Sequence, residues 1–466
     1  MIPLSLAEIA EAVDGTLVGG DPQTVVTGSV EFDSRKVGAG GLFVAFAGAN
    51  VDGHEFAEQA MAAGAVAVLG TRATTAPSIV VGDTLAAMGR LARAVVDRLP
   101  ELKIIGITGS SGKTSTKDMV VGLLSQLGPT VGPPGSFNNE LGLPHTVLSA
   151  DPGTRFLVLE MGARGAGHIS YLCGIAPPQV AVVVNVGVAH IGEFGSVEAI
   201  ASAKSELVRA LPALGLAVLN ADDERVRGMA ALTPASVVLA GEAADATVRA
   251  DGVSLDDRGR ASYTLSTPDG QASVRLRVSG HHQVGNSLLA AAVARWVGFA
   301  PAELGEALSR LVPVSTRRMD VFDRPDGVTV IDDSYNANPA STAAALRALV
   351  AIGTGRRRVA VLGYLAELGE QEREGHAQVG RVAAELGVDR LVVVGAQAAP
   401  IHDGAAAVAT WGGESVVVSD QDAAVAWLRS CLRPGDVVLV KGSRYRTWAV
   451  ADTLRSEDSA SPMVAP

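Results

Sequence analysis

Cysteine and aromatic residues are scarce in this chain, with two cysteines in 466 residues and 4% Phe, Trp and Tyr. The two thiols, Cys173 and Cys431, lie far apart without metal-like spacing, so they argue against a disulfide framework and fit a reducing compartment. No apolar run reaches the roughly 20 residues needed to span a bilayer. The opening MIPLSLAEIAEAVDG carries acids where a signal peptide has basic residues before an apolar core, so the expected location is the cytoplasm. Positive charge is also short: 38 Lys and Arg against 49 Asp and Glu leave a net charge of −11. A nucleic-acid binder normally shows the opposite sign, so neither nucleic acid nor a membrane span is expected.

What the chain has in quantity is small and aliphatic: 48% hydrophobic residues and 53 glycines read as an Ala/Val/Gly-rich α/β enzyme. Its length exceeds what one core usually serves. Three α/β units are expected, over residues 1–100, 101–313 and 314–455, with a disordered tail at 456–466 rich in small and polar residues. Between 103 and 312 strands and helices alternate, with strands at 156–160 (FLVLE), 179–186 (QVAVVVNV) and 216–220 (LAVLN). A helix is expected from Ser196 to about Leu211 and another over 286–297. This alternation predicts a mostly parallel, doubly wound sheet. Residues 246–279 switch to period-2 patterning with turns at Asp257-Arg258-Gly259 and Pro268-Asp269-Gly270, which predicts an antiparallel excursion. After Val312-Pro313-Val314 the alternation resumes in VTVIDD, RRVAVLG, RLVVVG and VVLVKG.

The richest stretch is IIGITGSSGKTST at 104–116, where a β-branched run breaks into a glycine turn and a helical pattern follows. Gly109 and Gly112 allow successive N–H groups of Ser110, Ser111 and Ser115 and their neighbours to point inward at the positive end of the helix. Lys113 can then hold outer phosphates, and the Thr114 hydroxyl can ligate Mg²⁺. The longer phosphate-loop motif begins with a glycine where this chain has Ile107, so only the compact form TGSSGKT fits. A phosphate ligand on an acidic protein needs local cations, because a carboxylate within about 4 Å of a phosphate costs about 4 kcal/mol at an effective dielectric near 20.

Further acids and bases fall at the same sheet rim. Glu160 closes the strand FLVLE, at the carboxyl end where ligands of parallel sheets bind, and is either a metal carboxylate or a cap on the turn Met161–Gly165. His190 follows QVAVVVNV and reads as a ligand or as a hydrogen-bonded structural histidine. Lys204 sits at the spacing Ile200-Lys204-Leu207, partly inward, and could equally pair with Glu206 or Glu193.

Taken together, TGSSGKT, EMGARGAGHIS (160–170) and NVGVAHIGEFGS with AKSEL (185–207) resemble the Mur ligase family, which joins amino acids to a UDP-sugar carboxylate. More narrowly, EMGA, SFNNELGLP (136–144), IDDSYNANP (331–339) and LVKGSR (439–444) resemble the branch that adds D-alanyl-D-alanine to UDP-N-acetylmuramoyl-tripeptide. The match runs from Asp33 to about Arg446, and six modest motifs in order are specific.

The resemblance implies a central phosphate-loop domain between an N-terminal UDP-binding domain and a C-terminal Rossmann-like domain. It implies ATP, two Mg²⁺ ions and a carbamylated Lys204. Asp33, Ser34 and Arg35, with the segment Gly48 to Phe56, would hold the UDP-sugar, and Asn138 and Asn139 would lie near it. Lys113 would contact the β- and γ-phosphates, Thr114 and Glu160 one Mg²⁺, and His190 the second. Asn286 would contact adenine, Arg318 the γ-phosphate and Asp333 the ribose. Lys441 and Arg444 would help bind the acceptor dipeptide. A carbamate at Lys204 has a physical motive, since an ammonium repels Mg²⁺ whereas a carbamate offers the anionic oxygen that hard cations prefer. The implied chemistry is an acyl phosphate on the tripeptide carboxylate, displaced by the dipeptide amine, in a monomeric enzyme. Two positions depart from the family: Gln283 stands where asparagine is usual, and Tyr364 where relatives carry an acid, and neither is assigned a role.

Overall fold

The computed structural model of the chain describes residues 1–48, 50–188, 191–443 and 447–456. Three sheets succeed one another, each covered by helices. The first orders its strands Thr16–Val18, Ser78–Val80, Ala65–Gly70, Gly41–Val44 and Val30–Glu31, and a short ladder of Leu4–Ser5 with Val25–Val26 lies beside it.

The central sheet is built around the strand Lys103–Thr108, flanked in parallel by Phe156–Glu160 on one side and Val180–Val183 on the other. Glu160 is level with Ile107, and Val183 with Thr108, so the three strands release their chains at one rim. The chain crosses from one side of the first strand to the other there, which makes it the switch point where ligands of such sheets bind. Beyond Leu216–Asn220 and Ser236–Gly241 the antiparallel excursion forms strands Val248–Leu255, Arg260–Thr267 and Gly270–Ser279. Parallel pairing of Ala240 with Val248 and Gly241 with Arg249 fuses it to the same sheet, which thus has nine strands among the described residues.

The third sheet orders Asp320–Asp323, Thr329–Asp332, Val437–Lys441, Arg358–Leu362, Arg390–Val394 and Glu414–Val418, with only the first strand antiparallel. Its entry helix Pro339–Ile352 starts with proline after Asn338, whose side chain accepts from the Ser341 N–H, a combination that fixes a helix start facing the cleft.

Several elements differ from the sequence expectation at their ends. The strand expected over 179–186 stops at Val183, and Asn185 leaves the ladder to bond the backbone N–H groups of Ser110 and Ser111 in the glycine loop. The helix expected over 286–297 spans His282–Trp296, its first turn packed into the cleft. The helix Val197–Arg209 is capped by Ser196, whose hydroxyl accepts from the Ala199 N–H, as the Ser-Val-Glu start allows. The expected disordered tail lies outside the described residues from 457 onward. Among the described residues no helix is long and apolar enough to cross a membrane.

Candidate active site

Gly112 opens the helix Lys113–Leu124 at a φ of +79°. A side chain there would be strained and would also meet the Asn286 Oδ1 at 2.8 Å, so glycine is required twice over. The loop before it is braced by Asn185, whose Oδ1 accepts from the backbone N–H groups of Ser110 and Ser111 at 3.0 and 2.9 Å. The Lys113 ammonium donates to the Gly109 carbonyl at 2.7 Å. Burial pulls its pKa down, opposed by the nearby Glu160 carboxylate. Asn286 is buried on the helix opposite, where its amide donates to Gln283 Oε1 at 2.9 Å and its oxygen accepts from Thr116 at 3.3 Å. Gln283, the unassigned departure, therefore orients Asn286.

Below the cradle Glu160 is fully buried. One carboxylate oxygen accepts from the Ser136 hydroxyl at 3.1 Å, while the other, Oε1, is buried with no hydrogen-bond partner among the described residues. An ionised carboxylate oxygen left so is costly unless a cation completes it. No group of three His, Cys, Asp or Glu side chains stands together among the described residues. A metal here would have one carboxylate, the Thr114 hydroxyl and ligand phosphates, an oxygen set that suits Mg²⁺.

Lys204 is buried at 4% exposure, and neither carboxylate suggested by sequence pairs with it. Glu206 turns away to accept from the backbone N–H groups of Gly167 and Ser170 at 2.7 and 2.9 Å, capping the helix His168–Ile175. Burial, with the positive charge of Lys113 nearby, lowers the Lys204 pKa from 10.5 to about 7. Lysines 113 and 204 thus lie near one another at the same cleft, with the Glu160 carboxylate close to Lys113.

The third sheet supplies the opposite wall. Arg318 stacks on Tyr335 at 4.2 Å and lines the cleft. Asp333 accepts from the Met319 N–H at 3.2 Å and is ion-paired with Lys441. The Lys441 ammonium also donates to the Asn336 carbonyl at 3.0 Å, so this buried cation is spent on the Asp333–Asn336 loop and not held out toward a ligand. Tyr364 donates to Glu372 at 2.7 Å and stacks on His376, a packing role. The loop after it touches the central domain: Gly192 N–H donates to the Glu367 carbonyl at 3.3 Å, and a Cβ on Gly192 would lie 2.5 Å from the Gly369 nitrogen.

Together these walls enclose a cleft of about 570 Å³. It is lined by Ser110 to Ser115, Asn138, Asn139, Lys204, Asn286, Arg318, Asp333 and Lys441, all candidates on sequence grounds, whereas Gly109 and Glu160 do not line it, Glu160 reaching it only through its bond to Ser136. Asp33, Ser34 and Arg35 do not line it. Arg35 grips Asp33 through two hydrogen bonds of 2.8 and 2.9 Å, which hold the Asp33 carboxyl down at about 2. Ser34 is buried and donates to Gln59 at 2.9 Å, so its hydroxyl faces its own domain. Within the Gly48 to Phe56 segment, Asp52 holds His54 and Arg72, which lowers its pKa. Residue 49, His190 and Arg444 lie outside the described residues. Sequence reasoning passed over Asn185, Ser136 and Glu367. Only Asn185 carried a local signal, a polar side chain ending an apolar strand at the same rim.

Comparisons with known proteins identify the family. Family models match in chain order: the Mur ligase family catalytic domain over residues 28–103, the middle domain over 107–294, and the glutamate ligase domain over 317–444. The chain belongs to the Mur ligase family. Among Mur ligases it is 49% identical to the UDP-N-acetylmuramoyl-tripeptide--D-alanyl-D-alanine ligase of Mycobacterium tuberculosis, over 98% of this chain and 99% of that one. A crystal structure of MurF from Acinetobacter baumannii superposes with a TM-score of 0.87 at 31% identity, covering 98% of both chains. The MurF ligase of Thermotoga maritima in complex with ADP superposes at 0.80 with 29% identity, over 93% of this chain and 98% of that one.

Proposed function

We propose that this Mur ligase joins the terminal carboxylate of UDP-N-acetylmuramoyl-tripeptide to the amine of D-alanyl-D-alanine, converting ATP to ADP and phosphate, in peptidoglycan precursor synthesis. One observation carries the reading: Lys113, Lys204 and Arg318 line one cleft, with the buried Glu160 close to Lys113 and bonded to the cleft-lining Ser136, in a chain similar along its whole length to ligases of that name. The reaction class is activation of a carboxylate as its acyl phosphate, then attack by the amine with release of phosphate. Bound Mg·ATP supplies the electrophilic phosphoryl group with its charge partly screened.

The chain's own residues do the rest. Lys113 and the N–H groups at the start of its helix bind the outer phosphates, and Arg318 approaches from the third domain as a further cation. Asn286, oriented by Gln283, sits at the adenine end, and Asp333 at the ribose. Thr114 and Glu160 would hold one Mg²⁺, with His190 kept as ligand to a second on sequence grounds. Lys204 would carry a carbamate. Its lowered pKa leaves much of the amine neutral near pH 7, and the neutral amine is the form that adds to CO₂, releasing one proton and leaving an anionic oxygen donor. The Gly192–Gly369 contact seats the third domain against the central one, which excludes water that would hydrolyse an acyl phosphate. Asp33, Ser34 and Arg35 mark the UDP-sugar side, with Asn138 and Asn139 between it and the cradle. Lys441 and Arg444 belong to the acceptor side, Lys441 by holding its loop. The working unit is a cytoplasmic monomer of three domains dividing near residues 100 and 313.

Incubation with ATP, UDP-N-acetylmuramoyl-tripeptide and D-alanyl-D-alanine should give the pentapeptide mass, with phosphate release only when both acceptor and donor are present. Vigorous phosphate release from ATP alone, with no pentapeptide, would refute the ligase.

A further inference from the structure

The loop of residues 133–139 lies between the UDP-sugar side of the cleft and the buried carboxylate, and it is held at both ends. At its start, Lys117 on the cradle helix is buried and donates to the Pro133 carbonyl at 3.0 Å. At its end, the Asn138 carbonyl accepts from the Gly162 N–H at 2.8 Å, two residues after Glu160. A Cβ on Gly162 would come within 2.9 Å of the Asn138 side chain, so the two segments are in close contact. Between these anchors Ser136 makes two side-chain bonds. Its oxygen accepts from the Asn138 amide at 3.0 Å, and its proton goes to Glu160 Oε2 at 3.1 Å.

That division matters because a serine hydroxyl has one proton. With Asn138 donating to the oxygen, the proton is directed to the carboxylate, which fixes the rotation of Glu160. The oxygen left over, Oε1, is the buried one without a partner. We infer that Ser136 is a positioning residue that holds the Glu160 carboxylate with Oε1 turned to receive a divalent cation, and that through Asn138 it ties this cation to the loop on the donor-substrate side. The inference rests on Glu160 being the metal carboxylate of the proposed ligase. Groups that hydrogen-bond a metal ligand typically change metal affinity by about 10- to 100-fold when removed.

The test is Mn²⁺ binding in the presence of ADP, read by electron paramagnetic resonance, with ADP binding in EDTA as the metal-free control. Ser136→Ala should weaken Mn²⁺ binding about tenfold and leave metal-free ADP binding unchanged. Ser136→Thr, which keeps a hydroxyl, should restore most of the affinity, and it also serves if the alanine variant does not fold. Parental Mn²⁺ affinity in Ser136→Ala, with Glu160→Gln clearly impaired, would overturn this inference alone. Parental Mn²⁺ affinity in Glu160→Gln would overturn both it and the metal site it rests on. Equal losses of metal-dependent and metal-free binding in Ser136→Ala would reduce Ser136 to a loop staple and overturn the inference.

Discussion

Two buried lysines face the same cleft from neighbouring domains, and they have opposite surroundings. Lys441 of the third sheet is ion-paired with Asp333 and bonded to the Asn336 carbonyl, so its charge is satisfied where it lies. Lys204 of the central domain is as deeply buried, has no carboxylate partner among the described residues, and feels the positive charge of Lys113. Burial alone therefore does not mark a reactive lysine. A partnered buried cation organises the loop around it, whereas an unpartnered one is held partly deprotonated and open to chemistry or to an added anionic group.

The contrast breaks first at activity. Lys204→Ala should lower kcat about 100- to 1,000-fold, in line with loss of transition-state charge stabilisation, while binding of the UDP-sugar substrate measured by calorimetry stays near parental. Near-normal turnover would remove Lys204 from the site. Lys113→Ala should behave alike, abolishing ATP turnover with UDP-sugar binding retained.

Stability sharpens the comparison. The folded state holds the Lys204 ammonium less firmly than the unfolded chain does, since the pKa falls from 10.5 to about 7. The resulting penalty is full below about pH 7 and fades as pH rises toward 10.5. Lys204→Met in CO₂-free buffer should thus be more stable than the parent at pH 6, by up to about 4–5 kcal/mol. That advantage should shrink to about 1 kcal/mol at pH 9.5. Lys441→Met should do the reverse and destabilise the protein by about 3–5 kcal/mol, because it leaves Asp333 without its cation. Urea titrations of both variants check the pair, and equal effects in the same direction would dissolve the distinction.

A smaller effect is expected where the two lysine-bearing domains touch. Gly192→Val places atoms where the Gly369 backbone lies, so kcat should fall roughly 10- to 100-fold through misplacement of the third domain, with the KM for the UDP-sugar unchanged. A parental kcat would show that this contact does not accompany turnover. The smallest effect belongs to the exposed Arg35–Asp33 pair, where Arg35→Ala should raise the KM for the UDP-sugar a few-fold and leave kcat alone.

Much of the site was legible because its information is local in sequence. The cradle needs Gly112 at positive φ, then Lys113 at a helix start, and these are neighbours in the chain. Glu160 ends an apolar strand, and the parallel alternation places that end at the cradle's rim. Lys441 and Ser34 read differently in three dimensions. A lysine in LVKGSR and a serine in DSR give no sign that one will be claimed by Asp333 and the other by Gln59, since those partners come from distant elements. Ser136 escaped notice for the same reason: its partner Glu160 is 24 residues away, across a helix and a strand.

Residue order by itself determined most of the elements, the three α/β units with their mostly parallel sheets, and the chemical alphabet of the cleft: one glycine loop before a helix, one strand-end carboxylate, one inward lysine. Tertiary structure decided which charges remain available. That choice depends on whether folding brings a counter-charge within hydrogen-bond reach of each buried group, and such reach is set by packing between elements far apart in the chain. It paired Lys441 with Asp333, left Lys204 with its pKa lowered, and kept one oxygen of Glu160 open beside Lys113.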